Sequence, residues 1–79
     1  MYINITVDLK NYNGDVFDLR LSNYHTVKQL VHIVWQAKAI STPPKEGYWV
    51  RIQNKEKVVT GGESLLESGI TNGDRIEIL

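Results

Sequence analysis

Two short segments constrain this chain more than any other feature. Ile3, Ile5, Val7 and Leu9 alternate with Asn4, Thr6 and Asp8, and Phe17, Leu19 and Leu21 alternate with Asp18 and Arg20. A period of two places every second side chain on one side of an extended strand, so each segment is a strand with one buried face. Asn11-Tyr12-Asn13-Gly14-Asp15 lies between them and signals a hairpin. Parity then restricts the turn. A regular two-residue turn at Asn13-Gly14 would set Leu9 opposite Asp18 and point the apolar faces in opposite directions. A three-residue loop of Tyr12, Asn13 and Gly14 pairs Leu9 with Phe17, Val7 with Leu19, and Ile5 with Leu21, so that one face is apolar throughout. Gly14 then takes the left-handed position of a bulged turn. A two-residue turn with a bulge elsewhere restores parity equally well.

The pattern then changes period. Thr26 precedes Val27, and Gln29 follows three residues after Thr26, the spacing of a capping box at a helix start. Val27, Leu30, Val31, Val34 and Lys38 fall on one helical face, with the Lys38 stem laid over the core rim. Ile33 and Trp35 lie on opposite flanks of that stripe, and Trp35 is expected at the core rim. Pro43-Pro44 cannot continue a helix, so it ends near Ile40. Tyr48 to Ile52 is a third strand, with Tyr48, Val50 and Ile52 inward and Trp49 and Arg51 outward. Lys55 to Val59 is a short edge segment guarded by its charges. Gly61-Gly62 is a turn, Leu65 and Ile70 anchor a compact loop with a helical turn, and Asn72-Gly73-Asp74 leads into a last strand, Arg75 to Leu79, with Ile76 and Ile78 buried. One helix against one face of a mixed sheet is a two-layer α+β domain covering residues 1–79.

Composition excludes whole classes of function. Nine basic and nine acidic residues give a net charge of zero, so there is no field to attract nucleic acid or an anionic membrane. The absence of cysteine excludes a thioester, a disulfide and a thiolate metal site. No apolar run approaches the ~18 residues of a membrane span, and the start, Met1-Tyr2-Ile3-Asn4, lacks the basic-then-apolar layout of a signal peptide. A cytoplasmic protein is expected, one that does not insert into a membrane but can stand beside a membrane complex. His25 and His32 do not have the spacing of a helical metal pair. Asp8, Asp15 and Asp18 are too sparse for a calcium loop. There is no glycine-rich phosphate loop, and no nucleophile stands with a base. No enzyme activity, cofactor or metal is expected.

The order of elements resembles ubiquitin and its β-grasp fold. Thr26-Val27-Lys28-Gln29 is similar to the start of ubiquitin's helix, Ile40-Ser41-Thr42-Pro43-Pro44 to its Ile-Pro-Pro exit, and Leu65-Leu66-Glu67-Ser68-Gly69-Ile70 to the loop before its last strand. A more specific resemblance rests on Asp8 to Gly14, Val16 to Leu21, Trp35-Gln36-Ala37, Pro43 to Gly47 and Gly69 to Arg75. These segments resemble the YukD/EsaB family of small bacterial ubiquitin-like proteins from type VII secretion loci. The resemblance implies an accessory or regulatory component of a Gram-positive type VII secretion system. Such a component works beside a membrane-bound secretion ATPase and secreted helical proteins with a Trp-X-Gly motif. Ubiquitin's flexible tail carries a terminal Gly-Gly that is joined to amines. Here Leu79 lies directly in the last strand and Gly61-Gly62 is internal, so a conjugated modifier or sulfur carrier is the disfavoured alternative.

A protein-interaction module remains, and one face suits it. Strand parity sends Trp49 and Arg51 to the sheet face away from the helix, joined there by Arg75, Glu77 and Leu79. In ubiquitin the corresponding region is the apolar recognition patch, with Arg51 near the place of its central isoleucine. Trp and Arg are enriched at interface hot spots. Trp49 either docks a partner, expected to be a cytosolic segment of a membrane-bound secretion component, or lies across the sheet as a shield under the Lys57 or Arg51 stem.

Overall fold

The computed structural model describes all 79 residues. The first alternating segment forms β1 (Tyr2–Asp8) and the second β2 (Val16–Ser22). Their antiparallel register sets Val7 opposite Phe17, Ile5 opposite Leu19 and Ile3 opposite Leu21. The shared apolar face is as parity demands, but the register is two residues from the one expected. The connection is longer than a three-residue loop. The Leu9 carbonyl accepts from the Tyr12 and Gly14 N–H groups, both at 2.9 Å, and the Leu9 N–H donates to Asp15 O at 2.8 Å. Gly14 does take the left-handed conformation, with φ +84°. Tyr12 lies within this turn, but its side chain reaches back onto the body of the fold. Its ring meets Trp35 edge-on at 4.8 Å, and its hydroxyl donates to the Leu79 carbonyl at 2.7 Å. Asn11 Nδ2 donates to Ile78 O at 3.0 Å. The loop is lengthened by partners on distant elements, which strand parity does not contain.

The helix α1 (Val27–Lys38) begins on the expected box, with Thr26 accepting from the Gln29 N–H and Gln29 reaching back to the Thr26 N–H. Val27, Leu30, Val31 and Val34 are completely buried against the sheet, each contributing roughly 1.5–3 kcal/mol of hydrophobic stabilisation. Trp35 is buried at the rim and donates its Nε1–H to the Thr42 carbonyl at 2.6 Å. The helix stops before the prolines. Ala39 adopts the left-handed conformation, and the N–H groups of Ala39 and Ile40 turn back to Gln36 O and Trp35 O, which closes the last turn.

The third strand is shorter than expected. β3 covers only Val50–Ile52, because Gly47 and Tyr48 both have positive φ, +85° and +51°, and swing the chain through a corner. Tyr48 therefore leaves the strand and packs, half-buried, by His32 on α1. A 3-10 turn (Gln53–Lys55) leads to β4 (Lys57–Val59). Gly61 is buried in the following turn, where a Cβ would lie 2.8 Å from that of Tyr48. The short helix α2 (Leu65–Ser68) has its own capping box, Ser64 with Glu67, and Leu65 and Ile70 are buried anchors as expected. The last strand, β5, covers Arg75–Ile78.

The sheet order is β2-β1-β5-β3-β4, with β1 and β5 parallel and the other neighbours antiparallel. With α1 packed on one face this is a mixed-sheet α+β fold of the β-grasp type. No helix is long and apolar enough to cross a membrane.

Candidate functional site

The free face of the sheet is built by alternation in β3 and β5. Val50, Ile52, Ile76 and Ile78 point into the core and are at most 3% exposed, so their neighbours Arg51, Arg75 and Glu77 point away from the helix. The register then brings the expected residues together. Arg51 stands opposite Glu77. Two residues along the same ladder, Trp49 stands opposite Leu79, whose N–H donates to the Trp49 carbonyl at 3.1 Å. Arg75 is further down β5, opposite Thr6 of β1.

Trp49 is 51% exposed. Its indole leans back over the corner, where a Cβ on Gly47 would come within 2.5 Å of Nε1. It rests on the Gly47 backbone, and the cation–ring contacts of the chain involve Tyr2, Tyr12, Phe17 and Tyr48 instead. Leu79 is half-buried, while Arg51 and Arg75 are exposed. Val58, opposite Arg51 on β4 and 45% exposed, extends the same surface. Inspection of the sequence did not single it out. The signal was there in Val58-Val59, a pair of which only one member can face the core.

Glu77 is the correction. It points to the outer face but is only 3% exposed, so it offers no contact surface. Four side chains close over it. Arg51 Nη1 lies 3.1 Å from its Oε1 and Lys10 Nζ 3.6 Å. Gln53 Nε2 donates to Oε1 at 3.3 Å and Asn11 Nδ2 to Oε2 at 3.0 Å. Gln53 also donates to Asp8 Oδ2, which Arg75 Nη2 approaches to 3.7 Å. The outer face is thus a connected row, Arg75-Asp8-Gln53-Glu77-Arg51, with the apolar pair Trp49 and Leu79 at its end. Alternation gives the direction of a side chain, not whether longer neighbours cover it.

Burial raises the pKa of Glu77, but hydrogen bonds from Asn11 and Gln53 and the charges of Lys10 and Arg51 outweigh it and hold the carboxyl below its ordinary 4.5. Asp74, under the turn before β5, behaves likewise. Burial raises it, and bonds from Lys55, the Thr71 N–H and Asn54 bring it below 3.8. A carboxyl depressed in the folded state stabilises the fold above its unfolded pKa and loses that stabilisation as pH falls through the folded value. The melting temperature is therefore expected to drop as pH falls below the ordinary carboxyl values of 4.5 and 3.8. Glu77→Gln is expected to flatten that acid limb, leaving the part due to Asp74. A limb as steep as that of the wild type would remove Glu77 from this role.

The other polar candidates are dispersed. Asp8 faces Arg75, Asp15 lies 3.8 Å from Lys38, and Asp18 accepts from the Thr6 hydroxyl. His25 meets Gln29 and His32 stacks near Tyr48.

Comparison with known proteins agrees with this architecture. The family described as "WXG100 protein secretion system (Wss), protein YukD" matches residues 2–78. The chain is 62% identical to the ESX secretion system protein YukD of Bacillus subtilis over the full length of both. It is 24% identical to the type VII secretion system accessory factor EsaB of Staphylococcus aureus, over 99% of this chain and 96% of that one. Among solved structures, the ubiquitin of Caldiarchaeum subterraneum superposes with a TM-score of 0.74 at 18% identity, over 99% of this chain and 91% of that one. That last likeness speaks to the fold, which is ubiquitin-like. From the whole-chain match and the fold together, the chain belongs to the YukD family of the WXG100 protein secretion system.

Proposed function

We propose that this protein is an accessory or regulatory component of a type VII secretion system. In this reading it acts from the cytoplasm as a single domain, by binding a protein partner and without catalysis or a cofactor. Relatives along the whole chain carry the names of ESX and type VII secretion components. A fold alone does not specify function, so the mechanism has to come from a surface. The observation that carries it is the half-exposed Trp49, held against the Gly47 corner at the edge of the outer sheet face. Arg51 and Leu79 flank it. An aromatic side chain that loses little freedom on docking, beside an arginine, is the usual chemistry of an interface centre. The partner is a cytosolic segment of a membrane-bound secretion component.

Covalent conjugation is the rival reading. A modifier must offer its C-terminal residues to an activating enzyme in an extended, mobile form. Leu79 is instead tied at both ends of its backbone, by its N–H to Trp49 and by its carbonyl to the Tyr12 hydroxyl. Those tethers hold Leu79 in the sheet beside Trp49, and it is the exposed Trp49 that favours the non-covalent mode.

A photo-crosslinking side chain placed at Val58, on the proposed face, is expected to capture a membrane-bound secretion component in cells. The same group at Gln36, on the solvent side of α1, is not. Capture from Gln36 alone would relocate the surface. An adduct on the carboxylate of Leu79, seen by intact mass, would favour the modifier.

A further inference from the structure

The sheet has two free edges, and they are unequal. β4 is three residues long and carries Lys57, a protected edge. β2 is seven residues long, and nothing in the chain covers its outer side. Its hydrogen-bonding direction follows from the ends of its ladder with β1. Asn23 N–H donates to Met1 O, and Leu9 N–H donates to Asp15 O. Odd-numbered residues of β2 therefore bond inward, and the backbone groups of Val16, Asp18, Arg20 and Ser22 point to the open side. Phe17 and Leu19 belong to the core-facing side but remain partly exposed, with the Lys38 ammonium of α1 standing 4.2 Å from the Phe17 ring centre.

The side chains of β2 are complementary about its central residue. About Leu19, Asp18 mirrors Arg20, Phe17 mirrors Leu21, and Val16 mirrors Ser22. Neither Asp18 nor Arg20 takes part in an ion pair within the chain. Asp18 uses Oδ1 for the Thr6 hydroxyl, and Arg20 lies 5.6 Å from the Tyr2 ring centre.

We propose that β2 pairs antiparallel with β2 of a second copy of this chain, about a two-fold axis through Leu19, to give a symmetric dimer with a continuous ten-strand sheet. The hydrogen-bonding phase agrees. Pairing about Leu19 matches Asp18 with Arg20, and Val16 with Ser22, and these are the residues whose backbone groups face outward. Asp18 of each copy meets Arg20 of the other, twice, on the outer face. Phe17 of each copy meets Leu21 of the other on the inner face, and the two Leu19 side chains touch on the axis. An axis perpendicular to the sheet keeps both helices on one side and makes the interface isologous. Opposite charges directly across an antiparallel pair are favourable and like charges are not, so a pattern that complements itself selects a second copy over an arbitrary strand. β2 is three strands from β3 in the sheet order, so both Trp49 surfaces stay open and this pairing stands or falls independently of them.

The experiment is a charge swap read by sedimentation. The wild type is expected to shift from its 9.0 kDa monomer to twice that mass as concentration rises, within a range extended to about 1 mM because an interface of low-end size binds weakly. Asp18→Arg alone and Arg20→Asp alone place like charges opposite each other, and each is expected to stay monomeric. An equimolar mixture of the two restores opposite charges at both contacts and is expected to form the heterodimer. A second reading uses the absence of cysteine in the chain. Leu19→Cys sets two thiols on the axis in a non-hydrogen-bonded pair, about 4.5 Å apart between Cα atoms, within the range a disulfide spans. It is expected to cross-link under mild oxidation well ahead of a Gln36→Cys control. A wild type that stays monomeric throughout, with Leu19→Cys no faster than the control, would overturn the proposal. So would a dimer that both single charge variants retain.

Discussion

Val34→Asp leaves the protein largely unfolded at ~25 °C, and it is the largest effect a single side chain is expected to have here. Val34 has no exposed surface. It sits on the inner stripe of α1 with Leu30 and Val31, against a sheet whose facing residues are Ile, Val and Leu. An aspartate at this position finds neither a cation nor a hydrogen-bond donor, since α1 and the sheet present only apolar groups there. A buried carboxylate without a partner costs several kcal/mol even after it protonates. A domain of this length has only ~4–12 kcal/mol in total, at ~0.05–0.15 kcal/mol per residue. The same substitution at Gln36, on the exposed side of the helix, is expected to change stability by no more than ~0.5 kcal/mol. Far-UV circular dichroism of the two variants makes the check. A cooperative melt of Val34→Asp near that of the wild type would mean that the buried stripe of α1 is assigned to the wrong residues.

That stripe was legible because it rests on local periodicity. The same holds for the Thr26 box, the shared apolar face of the first hairpin and the anchors Leu65 and Ile70. Each of these depends on residues a few positions apart. What escaped depends on residues far apart in the chain. The hairpin register moved by two because Asn11 and Tyr12 bond to Ile78 and Leu79. The third strand lost Tyr48 to a corner formed by two successive positive φ angles, one of them at a non-glycine residue that no turn signal marks. At the candidate site the direction of every strand side chain follows from alternation, but the burial of Glu77 does not. This carboxylate is covered by Asn11, Gln53, Lys10 and Arg51, which reach it from two stretches of chain far from Glu77 in sequence. Asp74 carries only a turn signal in the sequence, although it gathers Lys55, Asn54 and Thr71 beneath the sheet end.

Trp49→Ala separates binding from folding. Its ring is half exposed and rests on the Gly47 corner outside the core cluster, so truncation leaves the core packing intact. The cost to the fold is expected to stay within ~1 kcal/mol. If the ring is the centre of an interface, truncation costs about 2 kcal/mol or more of binding, roughly a thirtyfold loss of affinity. The shielding role open to a sheet-covering tryptophan makes the opposite forecast, a loss of stability with no separate loss of binding. Arg51 is a poorer probe, because removing it also uncovers the Glu77 carboxylate.

The decisive measurement is the melting temperature of Trp49→Ala set beside its capture of the membrane-bound secretion components from cells. An almost unchanged melt with capture and secretion strongly reduced is the predicted result. A variant that melts normally, captures its partner at wild-type level and supports secretion would contradict the assignment of this face.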